Sequence, residues 1–486
     1  MVSISLKPGR STRPLVTLAL TLWAALTVAG MVRNQAAPES RVMEAVCGLL
    51  LGNSDEGRQA LVSSVWWPPL PVLVRLPFAS LATGTTLPVA SVAVSALFGV
   101  LTLVFLTRSL ARQSAGTAGA ILSVILLLQP AFLSACMDGS NTTTLTALSI
   151  LAAGGLAGWL NARTTSELLR FAFGASLLLV TSPECWSWLG LAFAILLVDL
   201  FVRPADTGQR EAVLLLALSP VLYMAGLWLL LNWLVMGDWL YCVRSLVTEG
   251  PEEIGIRLEI QPFLPALGVL AVAACIALVR RQVTGIMMAV LAASPLAIAA
   301  GLQMSRLPWN EQALLLMVTP LVFLTIGRAA AGSVGPRRWL QPLAIVAGLA
   351  IALPPWLGRA ATGTPGMAAS PGAIMRIQEI RHHVLQRSPH AKVFVCGYES
   401  FHLLTRDAGP VFASSLDFNF NQVKNAYRGH TLFLLVRKPD GRSAMDSIHW
   451  QYEDMYALGS RSTLYDGDWG DWRLFEIIEA PRRRFL

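Results

Sequence analysis

The stretch "TLPVASVAVSALFGVLTLVFLT", from Thr86 to Thr107, carries no charged side chain. Each residue of a helix adds about 1.5 Å, so a run of this length crosses the roughly 30 Å of hydrocarbon in a bilayer. The whole chain has the same character: 54% of its 486 residues are hydrophobic, only 14% are charged, and the mean hydropathy is +0.57. Such a composition excludes an ordinary soluble globule and indicates a membrane protein.

Comparable apolar runs recur along the chain up to about residue 358. They predict a polytopic α-helical membrane protein with about eleven transmembrane helices. The predicted helices are 15–32, 86–107, 116–135, 142–160, 168–183, 185–202, 211–231, 262–279, 283–303, 311–327 and 339–357. A cleaved signal peptide over residues 1–36 is the alternative interpretation of the first run, because a basic start precedes an apolar core.

The basic residues of this region mark the ends of the apolar runs and fall in every second short loop. They include Lys7, Arg10, Arg13, Arg108, Arg112, Arg163, Arg170, Arg203, Arg210, Arg280, Arg281, Arg328, Arg337 and Arg338. By the positive-inside rule these loops and the N-terminus are cytoplasmic, and everything after the last helix is outside. We therefore expect a multi-pass protein of the inner (cytoplasmic) membrane. The net charge of +8 gives no reason to expect a nucleic-acid partner.

Residues 359–372, "RAATGTPGMAASPG", are small and rich in Gly and Pro, which is typical of a linker. The linker divides the chain into a transmembrane domain, 1–358, and a second domain, 373–486. In the second domain a helix from Ile374 leads into alternating strands and helices, which predicts a small extracytoplasmic α/β domain. It lacks the motifs of phosphate-binding loops and zinc proteases.

The predicted strands of the second domain are "AKVFVCG", "GPVFASS", "TLFLLVRKP" and "WRLFEII", and the predicted helices after the first are "YESFHLLTRD" and "SAMDSIHWQYEDMYALG". The segment "DGDWGDW" contains Asp466, Asp468 and Asp471. We interpret it as a hairpin turn, with a calcium site as the alternative. The six cysteines follow no metal-binding spacing, and one disulfide among Cys47, Cys136, Cys185 and Cys242 is a further hypothesis.

Carboxylates beside apolar segments on the outer side are few, and such residues are functional candidates because charge near hydrocarbon is costly. Asp55 and Glu56 lie in the first outer loop, in "GNSDEGRQALVSSVWWPPLPVLV" (Gly52–Val74). Asp138 and Glu184 follow later apolar runs. For the outer-side arginines Arg58, Arg75, Arg244, Arg257 and Arg306, binding of a phosphate and snorkelling to lipid headgroups are both open.

The acidic pair followed by "WWPPLPVL" resembles the first outer loop of the GT-C membrane glycosyltransferases. Three further stretches are similar to elements of that family: "SACMDGSNTTT" (Ser134–Thr144), "LLLVTSPECWSWLGLAFAILLVDL" (Leu177–Leu200) and "LNWLVMGDWLYCVRS" (Leu231–Ser245). The resemblance implies an enzyme of the mannosyltransferase or aminoarabinose-transferase kind. Such an enzyme moves a sugar from a polyprenyl phosphate to a lipid, glycan or protein acceptor.

This resemblance implies that Asp55 is the general base of an inverting transfer, with Glu56 orienting the acceptor or helping to hold a divalent cation such as Mg²⁺ or Mn²⁺. Asp138 and Glu184 are expected to bind the acceptor or the metal. Arg58, Arg244, Arg257 and Arg306 are expected to bind the donor phosphate. The tryptophans Trp66, Trp67, Trp186, Trp188, Trp233 and Trp239 fit an interfacial belt first and sugar stacking second.

Ser182, Cys185 and Trp239 depart from the residues that the family has at these places. These departures leave open a non-catalytic scaffold or pseudoenzyme within an envelope or polysaccharide assembly. A transporter is a further alternative, although the apolar runs hold few charges and show no internal repeat.

Overall fold

The computed structural model describes residues 13–33, 38–51, 58, 61–62, 69–81, 89–112, 116–182, 185–202, 207–240, 270–271, 274–275, 283–304, 316–325, 371–395, 411–414, 423, 429–439, 448–449, 452 and 454–478. Up to residue 325 the described elements are all helices. The described strands all follow residue 391.

Twelve helices form the described part of the membrane region. They are α1 (Arg13–Arg33), α2 (Pro38–Leu51), α3 (Pro69–Leu81), α4 (Val89–Arg112), α5 (Gly116–Leu128), α6 (Pro130–Met137), α7 (Thr142–Ala162), α8 (Thr165–Leu179), α9 (Cys185–Val202), α10 (Thr207–Met236), α11 (Val283–Met304) and α12 (Leu316–Thr325). Among the described residues, α4, α7, α9 and α10 are each long and apolar enough to cross a membrane, and α5 with α6 makes a fifth candidate. The chain is therefore a multi-pass membrane protein. The predicted spans 262–279 and 339–357 lie outside the described residues, apart from 270–271 and 274–275.

One predicted span, 116–135, is not a single straight helix. Helices α5 and α6 meet at Gln129 with a bend of 72°. Pro130 has no backbone N–H to donate and disfavours the helical conformation of the residue before it. Gln129 is accordingly extended, with φ −67° and ψ 123°, and α6 ends after only two turns, just before Asp138.

The predicted first outer loop, between α1 and α4, contains two helices, α2 and α3, which the apolar pattern did not predict as separate elements. They pack together through Met43, Val46, Cys47 and Val72. Pro69 and Pro71 suit the first turn of α3, where backbone N–H groups have no helical partner. These two helices therefore form a layer beside α4.

The two ends of the helix bundle differ in charge. At one end, which we call the basic end, Glu167 pairs with Arg112 at 2.7 Å and with Arg170 at 2.8 Å. Arg163 pairs there with the buried Asp199 at 2.5 Å. The loops 138–141 and 180–182 lie at the opposite end, as antiparallel helices require. The orientation of these ends relative to the cell stays a prediction.

The last part of the chain forms a five-stranded sheet. Its strands are β1 (Lys392–Val395), β2 (Phe412–Ser414), β3 (Leu432–Arg437), β4 (Thr463–Trp469) and β5 (Trp472–Ile477), in the order β2-β1-β3-β5-β4. β1 is parallel to β2 and β3, whereas β5 is antiparallel to β3 and β4. Helix α13 (Pro371–Arg387) covers one face through Ile380 and Val384. Ile448 and Met455 cover the other face. The domain boundaries and the extracytoplasmic placement of this sheet stay predictions.

The four predicted strands of this region coincide with β1, β2, β3 and β5, but the predicted helix 443–459 is wrong as a continuous element. Asp454 has a left-handed φ of 60°, and only the short helix α14 (Met455–Leu458) follows it. The predicted helix "YESFHLLTRD" lies outside the described residues.

The segment "DGDWGDW" holds the end of β4 and a hairpin turn at Gly470 and Asp471, with a φ of 67° at the glycine. Two of its carboxylates have cationic partners, because Asp466 pairs with Arg387 at 2.6 Å and Asp468 with Arg473 at 3.0 Å. The turn interpretation is confirmed. Nowhere in the described parts of the chain do three His, Cys, Asp or Glu side chains group as metal ligands would.

The disulfide hypothesis is wrong for the cysteines that the structure describes. Cys47, Cys136 and Cys185 are buried as thiols rather than joined in disulfides. Cys47 donates a weak hydrogen bond to the Val72 carbonyl at 3.5 Å, and burial raises the pKa of its thiol to about 12. Cys242 lies outside the described residues.

Candidate active site

Arg75 on α3 is fully buried at the end of the bundle opposite the basic end. Its guanidinium donates four hydrogen bonds: from Nη1 to the Pro71 carbonyl at 2.6 Å, from Nη2 to the carbonyls of Gly139 and Ser140 at 3.0 and 3.3 Å, and from Nε to Ser91 Oγ at 3.2 Å. A buried cation is tolerated only when its donors are bonded in this way. Arg75 therefore joins α3, the start of α4 and the loop after α6.

The same cluster includes α2. Ser91 donates from Oγ to the Ser40 carbonyl at 3.0 Å, and its backbone N–H donates to Glu44 Oε1 at 2.8 Å. Gly139, at the centre, has a φ of 74°, and a Cβ there would lie 2.9 Å from Ser40 Cβ and 3.0 Å from Ser91 Cβ. We call Ser40, Glu44, Arg75, Ser91, Gly139 and Ser140 the Arg75 cluster. It fastens the first outer loop onto the loop that carries Asp138.

Glu44 is the titratable acid of the Arg75 cluster. Burial raises the pKa of its carboxyl from 4.5 to about 7, against the opposing effects of the Ser91 hydrogen bonds and the charge of Arg75. Because the folded protein binds this proton more tightly than the unfolded chain, the contribution of Glu44 to stability is complete below pH 4.5. It is lost as the pH rises through about 7.

Replacing Glu44 by Gln should make the protein more stable at pH 8 and leave it nearly unchanged at pH 4.5. Gln keeps an acceptor for the Ser91 N–H but cannot ionise, so the variant avoids a cost of up to about 3 kcal/mol at high pH. Melting temperatures of the purified protein between pH 4.5 and 8 measure this difference. Glu379→Gln, at an exposed position of α13, is the control. A Glu44→Gln difference that is constant over this pH range would contradict the assignment.

Asp138 caps the end of α6 in a half-exposed position. Its Oδ1 accepts a hydrogen bond from the Ser140 N–H at 2.8 Å. Asn141 then donates from Nδ2 to the Thr181 carbonyl at 3.0 Å, and the Leu70 N–H donates to the Val180 carbonyl at 3.2 Å. The loops 138–141 and 180–182 and the start of α3 therefore meet at one place.

The structure describes two of the eight predicted site residues. Asp138 lies beside the Arg75 cluster, and Arg58 is helical and exposed. Asp55, Glu56, Glu184, Arg244, Arg257 and Arg306 lie outside the described residues. The described chain nevertheless brings Asp138 together with α2 and α3, the helices on either side of the segment with Asp55 and Glu56. It also brings Asp138 together with residues 180–182, two positions before Glu184.

Sequence reasoning missed the role of Arg75. Snorkelling to lipid headgroups is wrong for this residue, because its guanidinium is buried and bonded to three carbonyls. The signal was a single arginine inside the apolar run "PPLPVLVRLPF", where a charge is costly unless it is paired. Ser91 and Asn141 gave no signal, since a serine or an asparagine at a helix start is common.

No protein-family model and no curated protein matches the chain. Comparison with solved structures shows that the chain has the GT-C fold of membrane glycosyltransferases. One similar structure is ArnT from Cupriavidus metallidurans bound to undecaprenyl phosphate, with 12% identity, a TM-score of 0.52, and coverage of 96% of this chain and 98% of ArnT. The apo state of the same ArnT has 14% identity, a TM-score of 0.51, and coverage of 95% and 98%.

Proposed function

We propose that this protein is a glycosyltransferase that moves a sugar from a polyprenyl phosphate to an acceptor at the outer surface of the membrane. The observation that carries this proposal is the likeness of the fold over 96% of the chain to ArnT, a protein bound to undecaprenyl phosphate in its solved structure. The lipid tail of such a donor stays in the bilayer while its phosphate lies at the edge. The meeting point of loop 138–141 with the first-loop helices suits that geometry.

The proposed reaction is a single displacement at the anomeric carbon of the donor sugar. An oxygen or nitrogen of the acceptor forms the new bond, and the bond from the anomeric carbon to the phosphate oxygen breaks. The electron pair of that bond leaves with the polyprenyl phosphate. Asp55 takes the proton of the acceptor hydroxyl or amine, work worth typically 10²–10⁴-fold in rate, and the configuration at carbon inverts.

The other predicted residues have supporting roles in this proposal. Asp138 and Glu184 align the acceptor, Glu56 orients it beside Asp55, and the donor phosphate is bound by four arginines: Arg58, Arg244, Arg257 and Arg306. A divalent cation, Mg²⁺ or Mn²⁺, would add charge stabilisation at the phosphate. Glu56 would help to hold it, with Asp138 and Glu184 as the further candidate ligands.

A non-catalytic scaffold is the competing function, and it is based on the departures from the family pattern. Two of these departures are buried residues beside the site: Cys185 is fully buried at the start of α9, and its N–H donates to the Ser182 carbonyl at 3.2 Å. Both residues therefore have a packing role that is compatible with an active enzyme as well as with an inactive one. An assay of transfer decides between the two functions.

In that assay, Asp138→Asn should lower transfer by a factor of about 10, an effect smaller than the one expected for Asp55. Asn keeps the shape and the acceptor for the Ser140 N–H but removes the negative charge that aligns the acceptor. Purified protein is mixed with undecaprenyl phosphate carrying mannose, glucose or arabinose, and release of undecaprenyl phosphate is measured with an acceptor lipid extract. Asp454→Asn, at an exposed left-handed position that suits Asn, is the control. Wild-type protein that neither binds undecaprenyl phosphate nor releases it would favour the scaffold.

A further inference from the structure

An aromatic cluster lies next to the candidate active site, on the side of α10. Trp186 and Trp228 meet edge to face with their ring centroids 6.2 Å apart. Leu70, Val180 and Met224 pack against them. Because Val180 and Leu70 also join loop 180–182 to α3, this cluster and the Arg75 cluster share one end of the bundle. We call it the Trp228 cluster.

Polar atoms around the Trp228 cluster are buried without a hydrogen-bond partner. They are Nε1 of Trp228, Oδ1 of Asn232 and Oδ1 of Asn141. Trp228 is 5% exposed and Asn232 is fully buried. Each of these asparagines uses its amide nitrogen, since Asn232 donates to the Trp228 carbonyl and Asn141 to the Thr181 carbonyl, both at 3.0 Å. These hydrogen bonds fix the orientation of both side-chain amides, and in each amide the oxygen has no partner.

Buried polar groups in native proteins are nearly all bonded, and an unpaired one destabilises the fold, so each of these three atoms needs a partner. Asn232 follows Trp228 by one helical turn, so both side chains project from the same face of α10. Asn141 lies beside Thr181, next to the Val180 that touches Trp228. One indole N–H and two amide oxygens thus lie unpaired on neighbouring segments of this end of the bundle.

The chemistry of this group fits a neutral ring with several hydroxyls. A hydroxyl both donates and accepts, so it can satisfy the indole N–H as well as the amide oxygens. Indole rings offer an apolar surface to the C–H face of such a ring. A phosphate would instead require cations. Arg75, the buried cation nearby in the described structure, already donates to four acceptors.

We infer that Trp228, Asn232 and Asn141 form a subsite for the hydroxyl groups of the sugar ring in the donor lipid, with Trp186 at its rim. This inference rests on the glycosyl transfer proposed above and adds which part of the substrate is bound here. Trp186 and Asn141 are half-buried, so they are the more accessible members of the subsite, whereas Trp228 and Asn232 are buried. Binding of the sugar supplies the missing hydrogen bonds, and an analogue that lacks the matching hydroxyl leaves them unpaired.

The first test is the stability of the protein without ligand. Asn232→Leu removes an unpaired oxygen at constant volume and should raise the melting temperature by about 1–3 °C. Trp228→Phe and Trp188→Phe remove the same ring volume, but Trp188 is the matched control because its Nε1 donates to the Leu291 carbonyl at 3.3 Å. Trp188→Phe should therefore lower the melting temperature more than Trp228→Phe. The inference would be contradicted if Trp188→Phe and Trp228→Phe lowered the melting temperature equally and Asn232→Leu lowered it as well. Trp228 and Asn232 would then have only a structural role.

The second test compares two lipids on the same variants. Undecaprenyl phosphate linked to mannose, glucose or arabinose should bind wild-type protein more tightly than bare undecaprenyl phosphate does. Asn232→Leu and Trp228→Phe should each raise the KM for the glycosylated lipid about tenfold, the effect of one lost hydrogen bond. The affinity for bare undecaprenyl phosphate should not change.

The outcomes separate this inference from the proposed function. If bare undecaprenyl phosphate does not bind wild-type protein, the proposed function fails and the subsite fails with it. If it binds, but the variants lose no affinity for any glycosylated lipid, the subsite alone is refuted and glycosyl transfer stands.

Discussion

Asp55→Asn is expected to lower transfer by a factor of roughly 10² or more while binding of the donor lipid persists. Asn has nearly the same shape as Asp but cannot take a proton from the acceptor at neutral pH. The loss should therefore appear in kcat, with KM for the polyprenyl-phosphate sugar almost unchanged. Steady-state kinetics on purified protein, with lipid binding measured separately, test this expectation.

Glu56→Gln is the matched control for Asp55→Asn, because it neutralises the neighbouring carboxylate of the same loop. We expect a smaller loss, since adjacent residues rarely point the same way. Unchanged turnover in Asp55→Asn would remove the general-base assignment. An equal loss of donor binding would instead make Asp55 a binding residue.

Arg75→Met is expected to give the largest loss of stability, on the order of 3–5 kcal/mol, because one change breaks four buried hydrogen bonds. It leaves the carbonyls of Gly139 and Ser140 without their donor, and it removes the cation that faces Glu44. Arg75→Lys keeps the charge but not the fork geometry, so its loss should be intermediate. Melting temperatures in detergent measure both variants.

Arg461→Met, at an exposed turn of the sheet region, controls for the loss of an arginine as such and should leave the melting temperature unchanged. Ser91→Ala removes the bond from Arg75 Nε, the bond to the Ser40 carbonyl and the effect of the hydroxyl on Glu44. This milder variant should stay folded and still lower transfer, because it loosens Arg75, whose Nη2 holds the loop that carries Asp138. An Arg75→Met protein as stable as wild type would show that the four bonds contribute little.

The membrane class and most helices were predictable because long uncharged apolar runs are rare outside membrane-spanning helices. The bend at Gln129 was not anticipated, although Pro130 marks it, because the apolar run continues across the proline. Helices α2 and α3 were missed because each is shorter than a span and the loop between α1 and α4 was treated as one connection. Strand β4 was missed because its Asp-Gly pair is also typical of a turn.

The site was predictable only in part. The carboxylate at Asp138 could be selected because an acid next to hydrocarbon is costly. The role of Arg75 depends on carbonyls 64 and 65 residues away in sequence. Every residue has a backbone carbonyl, so the amino-acid sequence does not indicate which carbonyls an arginine will bind. The Trp228 cluster could not be predicted for a related reason: whether a buried amide is satisfied depends on packing between helices, not on local sequence.

The basic end of the bundle has a consequence for how the chain is made. Acidic residues contribute little to the orientation of helices during insertion, so on the predicted topology Arg112, Arg163 and Arg170 act at that stage with their full charge. In the folded protein the same arginines are paired with Glu167 and Asp199. They therefore act twice, first in setting the direction of the nascent helices and then in holding neighbouring helices together. Arg163 lies between α7 and α8, and Asp199 is buried against it on α9. Turning α7 and α8 over in the folded protein would separate this charge pair. The orientation that the helices take up during insertion is therefore retained.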